Sequence, residues 1–247
     1  MSDLVLREDA GGIATLTLNR PDALNALSPS LFKELRGHLD TISNDVENVG
    51  CVVLQGNGRS FSAGNDLKAI QAGEVAPSPT FQAETIDAME GLPQPVIAAV
   101  HGHCYTGALE LALGADFIVA AESARFADTH GRWAMTPTWG MSQRLPRRIG
   151  LANAKRMMYT GTPVSGDEAA ALGLATFCFP DDELRSRVVE LAETMVANSW
   201  HTLRADKMLA NAGQRLSLPD GLQFERENSP GRGPDMEERL QSFSKKQ

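Results

Sequence analysis

Cysteine is scarce in this chain of 247 residues, which has only 3 of them. Cys51, Cys104 and Cys178 are odd in number, far apart and surrounded by largely apolar residues. We therefore expect reduced cysteines that fill the core rather than a disulfide framework, which favours a cytoplasmic protein. We expect no export signal either, because the N-terminal segment lacks a basic region followed by an apolar stretch.

Positive charge and long apolar runs are also in short supply. Lysine and arginine number 23 against 31 aspartate and glutamate residues, which gives a net charge of −8. Without a long basic tract, nucleic acid is not an expected partner. Apolar runs such as Val96–Val100 are far shorter than the roughly 20 residues that cross a membrane, so we expect no membrane-spanning segment.

Hydrophobic residues, by contrast, make up 42% of the chain, enough to bury a large core. The length predicts one large domain, or one domain with an appendage. Short apolar segments alternate with helical patterns, which predicts an α/β fold. The predicted strands are 13–18, 51–54, 96–100, 117–120 and 176–179.

Two predicted helices carry capping signals at their starts. Ser28 followed by Pro29 is typical of an N-cap and first helical position, and apolar residues then recur at helical spacing. The second helix begins with a capping box, Ser165 with Glu168 three residues later.

Strand signals stop beyond about Asn198, and the rest of the chain reads as helices broken by glycine and proline. We therefore predict a core of residues 1–197 and a helical region of residues 198–247. A small helical region without a large core of its own usually packs on its parent domain or on a neighbouring subunit, so an oligomer is expected.

The familiar nucleotide, serine-hydrolase and metalloprotease fingerprints are absent: the chain has no G-x-G-x-x-G, P-loop, G-x-S-x-G or H-E-x-x-H. One H-x-H, at His101 and His103, is weak evidence for a metal without a nearby third ligand. We expect no metal site.

Two loops remain, each after a buried strand and each leading into a helix: residues 61–66 and 105–110. Backbone N–H groups at a helix start are unpaired and partly positive, so two such groups facing one point could hold an oxyanion. Taken alone, the glycines in these loops are better explained as simple strand-to-helix turns.

Glu110 strengthens the case for a site, because apolar residues surround it on its helix. A lone carboxylate in such a place has a raised pKa and is often a general acid or base. The alternative is a glutamate at the helix edge, exposed or paired with an arginine.

At this point the sequence resembles the crotonase superfamily, the enoyl-CoA hydratase/isomerase family. The resemblance runs from Leu16 to about Phe243 through LNRPDALNAL, FSAGNDL, PVIAAVHGHCYTGALELALGAD, SQRLPRRIG and TGTPVSGDEAAALGL. It implies a crotonase-like ββα superhelix with a C-terminal helical trimerisation region. It also implies a homo-trimer or a hexamer, a dimer of trimers.

The resemblance further implies an acyl-coenzyme A thioester as substrate, with no separate cofactor because coenzyme A enters as part of the substrate. The backbone N–H groups of Asn65 and Gly107 would hold the thioester oxygen, and Glu110 matches the first catalytic glutamate. The implied coenzyme A-binding residues are Ala23, Leu24, Ala63, Asp66, Leu67 and Lys68.

The chain departs from the family pattern at the second catalytic glutamate. The segment from Phe126 reads FADTH where the family reads F-G-x-P-E, so His130 occupies the glutamate position. A histidine titrates near neutral pH and could supply the acid. Asp128 is a candidate auxiliary acid, with a strand-end or turn residue as the favoured alternative.

These residues predict a hydratase that reversibly converts a 2-enoyl-CoA to a 3-hydroxyacyl-CoA. Glu110 would activate water and His130 would act as the acid or position the water. The lost glutamate leaves open an enoyl-CoA isomerase, another enolate enzyme such as a carbon–carbon hydrolase or decarboxylase, and a non-catalytic acyl-CoA-binding protein.

Overall fold

A computed structural model describes residues 3–244 and contains two β-sheets flanked by helices. The larger sheet has six strands in the order β1-β2-β3-β4-β6-β9, and β1 is antiparallel to β2 while the other neighbours are parallel. Its strands are β1 (Val5–Ala10), β2 (Ile13–Leu18), β3 (Cys51–Gly56), β4 (Val96–Val100), β6 (Phe117–Ala121) and β9 (Phe177–Phe179). The predicted α/β fold is confirmed.

The smaller sheet has three short strands, β5 (His103–Tyr105), β7 (Arg125–Ala127) and β8 (Val164–Ser165). Strand β5 runs parallel to β7, and β7 runs antiparallel to β8. This sheet brings the chain after β4 beside the chain after β6.

The helices occupy the connections between strands and the C-terminal region. They are α1 (Pro29–Asn44), α2 (Leu67–Gln71), α3 (Phe81–Glu90), α4 (Gly107–Leu113), α5 (Met141–Ile149), α6 (Leu151–Thr160), α7 (Gly166–Ala171), α8 (Leu184–Val196), α9 (Trp200–Gly213), α10 (Leu218–Asn228) and α11 (Met236–Ser244). Single 3₁₀ turns lie at Pro21–Ala23 and His130–Trp133.

Both faces of the larger sheet are covered, which is why strands such as β4 are wholly apolar. On one face, alternate strand residues pack against a cluster that includes the buried stripe of α1. That stripe consists of Leu31, Leu35, Leu39 and Ile42, as predicted. On the other face, Val53 and Ile97 belong to a cluster with Val188 and Ala192 of α8.

The predicted helix starts are confirmed, with one correction. The Ser28 hydroxyl accepts a hydrogen bond from the Leu31 N–H at 3.2 Å. The Ser165 hydroxyl likewise accepts from the Glu168 N–H at 3.2 Å. The Glu168 carboxylate does not complete the capping box, because it accepts from Arg156 at 2.7 Å instead.

The C-terminal helices are anchored to the sheet through α9. The Trp200 ring packs where Gly12 and Gly50 leave room, since a Cβ at Gly50 would lie 2.3 Å from it. Lys207 Nζ lies 2.7 Å from Asp116 Oδ2 and donates to the Gln94 carbonyl at 3.0 Å. The division at residues 197 and 198 stays a prediction. Among residues 3–244, no helix is long and apolar enough to span a membrane.

Candidate active site

The two predicted loops touch each other at the ends of the parallel strands. The Ser62 N–H donates to the His103 carbonyl at 2.9 Å. A Cβ added to Gly64 would lie 2.4 Å from the Tyr105 carbonyl oxygen and 3.6 Å from the Gly107 nitrogen. Gly64 also has φ +98°, so a residue with a side chain would fit neither the space nor the backbone conformation. The two loops are therefore in direct contact, which a shared site requires.

Asn65 lies next to this contact, and its N–H is directed away from the paired segment around Leu27. The Leu27 N–H donates to the Gly64 carbonyl at 2.8 Å, and the Asp66 N–H donates to the Leu27 carbonyl at 3.1 Å. Backbone N–H groups alternate in direction along an extended segment, so the Asn65 N–H points to the other side. It donates to no other residue within the described range.

Gly107 is the first residue of α4, and its N–H also has no acceptor among residues 3–244. The preceding Thr106 has φ +54°, a conformation that costs a non-glycine residue of the order of 1–3 kcal/mol. Hydrogen bonds hold it there: its N–H donates to the Ala127 carbonyl at 2.7 Å, and its hydroxyl lies 2.6 Å from the Thr129 hydroxyl. The strained backbone fixes the direction of the Gly107 N–H.

Glu110 lies one turn into α4, is only 1% exposed, and is held at one oxygen. Its Oε1 accepts from the Trp139 N–H at 2.9 Å and from the Met141 N–H at 3.0 Å. Burial raises the pKa of Glu110, and these N–H groups together with His130 only partly oppose that effect. The exposed-edge alternative is wrong for this residue.

His130 brings its ring to the second oxygen of Glu110. Its Nε2 lies 3.7 Å from Glu110 Oε2, while its Nδ1 lies 2.6 Å from Asp128 Oδ1. The Asp128 carboxylate also accepts the His130 backbone N–H at 3.0 Å. A carboxylate at Nδ1 places a proton on that nitrogen and directs Nε2 toward Glu110.

The charge state of His130 is set by opposing effects. Burial lowers the pKa of the imidazole, but the hydrogen bond and charge of Asp128, with the charge of Glu110, outweigh burial and raise it. Glu110 and His130 therefore titrate as an interacting pair, with the Asp128 carboxylate at hydrogen-bonding distance from the imidazole. Asp128 directly follows the end of β7, is buried, and has its carboxylate 2.6 Å from His130 Nδ1.

Sequence reasoning missed the turn between the 3₁₀ segment and α5. Its Trp139 and Met141 hold Glu110 through backbone N–H groups, which leave no mark on residue type. Arg144 secures the same turn, because its Nη1 donates to the Trp139 carbonyl at 2.9 Å. The only available signal was Gly140, which has φ +119° and lies under the Arg144 guanidinium.

The predicted coenzyme A-binding residues lie along the two strand-end segments 23–27 and 63–68. The Ala63 N–H donates to the Leu24 carbonyl at 2.9 Å, which joins these segments. Ala23 and Lys68 are exposed and Leu67 is half-buried. Asp66 is already engaged: it caps α2 through the Lys68 and Ala69 N–H groups and lies 2.7 Å from Arg20.

No group of three side chains suited to a metal ion occurs in the part of the chain that the structure covers. His101 and His103 are instead bound locally. His101 Nε2 lies 2.8 Å from the Gly58 carbonyl oxygen, and His103 Nδ1 lies 2.9 Å from the Ser60 hydroxyl.

Comparisons with known proteins agree on one family. A sequence model described as enoyl-CoA hydratase/isomerase matches residues 8–247. A putative enoyl-CoA hydratase/isomerase from Bacillus subtilis is 37% identical over 240 residues, 95% of this chain and 92% of that protein. A probable peroxisomal enoyl-CoA hydratase from Arabidopsis thaliana is 34% identical over 227 residues, 91% of this chain and 84% of that protein.

The fold agrees as well. The crystal structure of an enoyl-CoA hydratase from Bacillus anthracis superposes with a TM-score of 0.92 at 34% identity, covering 99% of this chain and 97% of that one. A monofunctional enoyl-CoA isomerase from M. smegmatis gives a TM-score of 0.79 at 33% identity, covering 90% of this chain and 99% of that one. The crotonase-like fold expected from the sequence is confirmed.

Proposed function

The chain belongs to the enoyl-CoA hydratase/isomerase family, and from that premise we propose that it adds water reversibly across the double bond of a 2-enoyl-CoA. The product is a 3-hydroxyacyl-CoA. The observation that carries this proposal is the pair of side chains at the site, in which Glu110 Oε2 lies 3.7 Å from His130 Nε2. The backbone N–H groups of Asn65 and Gly107, which donate to no acceptor among residues 3–244, belong to the same site. Hydration needs one base, one acid and an oxyanion site, and this arrangement offers all three.

The first step is attack of water on C3 of the substrate. Glu110 in its carboxylate form takes one proton from the water through Oε2, because Oε1 is occupied by Trp139 and Met141. The new C3–O bond pushes the double-bond electrons toward the thioester. The thioester oxygen becomes an enolate oxygen, stabilised by the N–H groups of Asn65 and Gly107.

The second step returns the electrons to C2. His130 in its imidazolium form gives its Nε2 proton to C2, and the enolate collapses to the thioester. Asp128 stabilises the imidazolium before the transfer and fixes the ring afterwards. Glu110 is now protonated and His130 neutral. Transfer of the proton from Oε2 to Nε2, groups that already face each other, restores both for the next cycle.

Product mass tests the reaction type. Purified protein is incubated with a panel of 2-enoyl-CoA and 3-enoyl-CoA thioesters, and the products are separated and weighed. Hydration adds the mass of one water with the acyl chain intact. A product of unchanged mass with a moved double bond would replace hydration by isomerisation, and a shortened acyl chain by cleavage or decarboxylation. Binding without any product would leave an acyl-CoA-binding protein.

Coenzyme A is proposed to lie across the joined segments 23–27 and 63–68 as part of the substrate, without a separate cofactor. The backbone pairing of Leu24 with Ala63 supports a continuous surface there. The exposed ammonium group of Lys68 is available to a phosphate. Asp66 contributes through its position at the start of α2 rather than through a free carboxylate.

A homo-trimer or hexamer is proposed for the assembled protein. The C-terminal helices support it, because α10 and α11 present apolar side chains to solvent: Leu218 is 76% exposed and Phe243 is 63% exposed. Sedimentation at several protein concentrations tests this proposal, and a species with the mass of one chain at all of them would contradict it.

A cytoplasmic location is proposed on the state of the cysteines. Cys51 and Cys104 are buried and free, and Cys178 is half-buried and free. Burial raises the pKa of the Cys51 thiol to about 12, which keeps it protonated and unreactive.

A further inference from the structure

We infer that the Trp139 indole forms a wall of the acyl pocket and makes the enzyme prefer short-chain thioesters. The inference rests on the proposed function, since it concerns the acyl group that reaches Glu110. The family comparisons do not assign this role to Trp139.

Trp139 contacts both Glu110 and Gly107, the two residues between which the reacting part of the acyl group is proposed to lie. Its backbone N–H donates to Glu110 Oε1 at 2.9 Å. Its ring lies against Gly107, where an added Cβ would be 2.4 Å from the ring carbon Cζ3. The same residue therefore contacts the carboxylate proposed as the base and the glycine proposed to hold the thioester oxygen.

The indole is also fixed in place. Its ring meets the fully buried Phe32 edge to face, with centroids 5.2 Å apart. Its backbone is held on both sides, by the N–H bond to Glu110 and by the carbonyl bond from Arg144 at 2.9 Å. A side chain held at its backbone and packed on its ring cannot move aside without breaking these contacts.

Arg144 is itself held by two carboxylates of α3, so the turn that carries Trp139 is fixed to that helix. Its guanidinium donates to Glu90 Oε2 at 2.6 Å and to Asp87 Oδ1 at 2.5 Å, both near the end of α3. The guanidinium thus links α3 to the turn that carries Trp139.

This geometry limits the substrate beyond C3. With the thioester oxygen at Gly107 and C3 at the free oxygen of Glu110, we place the carbons after C3 against the indole, whose ring carbon Cζ3 would lie 2.4 Å from a Cβ at Gly107. A fixed indole on this path does not yield to a longer acyl chain. Each additional methylene then meets the ring instead of an open pocket, and one methylene at a closed wall changes selectivity by roughly 10–200-fold.

The test measures binding separately from turnover. Saturated straight-chain acyl-CoAs of four, six, eight and ten carbons are titrated into the wild-type protein and into the variants Trp139→Ala and Trp139→Phe, with the bound fraction followed calorimetrically. The matched control is Trp133→Ala, which removes another indole that is 58% exposed on the nearby 3₁₀ turn. The kcat/KM values for the corresponding 2-enoyl-CoAs are measured beside them.

Wild-type protein should prefer four carbons over eight by about tenfold or more. Trp139→Ala should remove or invert that preference, Trp139→Phe should reduce it, and Trp133→Ala should keep it. If Trp139→Ala fails to fold, Trp139→Phe carries the test, because phenylalanine keeps the backbone bonds and an aromatic ring.

Three results would overturn the inference: equal wild-type affinity for four and ten carbons, no change of preference in either folded Trp139 variant, or an equal change in Trp133→Ala. The proposed function fails differently, through chain-length-dependent binding with no hydrated product. The two failures are therefore distinguishable.

Discussion

Glu110, His130 and Asp128 are buried side by side, and the charges of Glu110 and His130 depend on each other and on Asp128. Burial alone raises the pKa of Glu110 and lowers that of His130, which would leave both groups neutral. Asp128 reverses the outcome at the histidine, because its hydrogen bond and charge raise the imidazole pKa. Hydration requires the carboxylate form of Glu110 and the imidazolium form of His130, so activity should have a bell-shaped dependence on pH.

Replacing Asp128 by asparagine tests this dependence at one atom. The amide keeps the shape of the side chain but removes the negative charge that raises the His130 pKa. The active imidazolium is then lost at a lower pH, so the alkaline limb of the kcat profile should move to lower pH. The acid limb, set by protonation of Glu110, should move much less. Steady-state kinetics across the pH range of the native enzyme measures both limbs.

The control for this variant is Asp40→Asn, which removes an exposed carboxylate that pairs with Arg36 on α1. Its pH profile should match that of the wild type. An alkaline limb that stays in place in Asp128→Asn would mean that Asp128 does not set the charge of His130.

At the scale of elements, the site depends on the close approach of two loops at strand ends. Gly64 makes the approach possible, since any Cβ there would meet the Tyr105 carbonyl oxygen at 2.4 Å. The loop on one side carries Asn65, and the loop on the other carries Gly107. Pushing them apart by a fraction of an ångström would separate the two donors.

Gly64→Ala should therefore lower kcat/KM by about 10²-fold, the order of loss expected when one oxyanion donor is removed. The control is Gly73→Ala, which has a similar positive φ of +73° but nothing within 4 Å of an added Cβ. Both variants place a side chain at a positive φ and so lose some stability. The midpoint temperature of thermal unfolding should therefore fall in both. Measuring kcat/KM at a temperature where both variants are folded separates loss of activity from loss of stability. Equal kcat/KM values for Gly64→Ala and Gly73→Ala would contradict the role of the loop contact.

At the scale of the whole molecule, the C-terminal helices are tied to the sheet by buried polar contacts as well as by apolar packing. Lys207 has a side chain only 7% exposed and lies 2.7 Å from Asp116, which is 23% exposed. Asp116 also accepts the Val96 N–H at 2.8 Å, at the start of β4. One ion pair thus connects α9 to the strand that leads into the active-site loop.

Lys207→Met should destabilise the folded protein by about 2–3 kcal/mol, less than the 3–5 kcal/mol of a fully buried pair because Asp116 keeps partial exposure and its Val96 bond. Urea unfolding measures the difference. Arg36→Met, which removes an exposed pair within α1, is the control and should change stability by at most about 0.5 kcal/mol. Equal effects would mean that the Lys207 contact does not anchor α9.

The sequence predicted the parts of the molecule in which residue type and spacing carry the information. Strand β4 is wholly apolar because both of its faces are buried, and Glu110 stands out because its neighbours are apolar. The smaller sheet could not be predicted, since strands of two or three residues are too short to show a period. The donors to Glu110 escaped notice because a backbone N–H belongs to every residue type except proline.

The proposed hydration mechanism requires Glu110 to be the base that delivers water to C3. One labelling experiment tests this role of Glu110. Wild-type protein and Glu110→Gln are incubated with a four-carbon 2-enoyl-CoA in water enriched with heavy oxygen, after calorimetry has shown that both bind the saturated thioester. We expect heavy oxygen at the 3-position with the wild type, and a rate lower by at least about 10²–10⁴-fold with Glu110→Gln. Equal incorporation by the two proteins, or none by a wild type that binds the thioester, would contradict it.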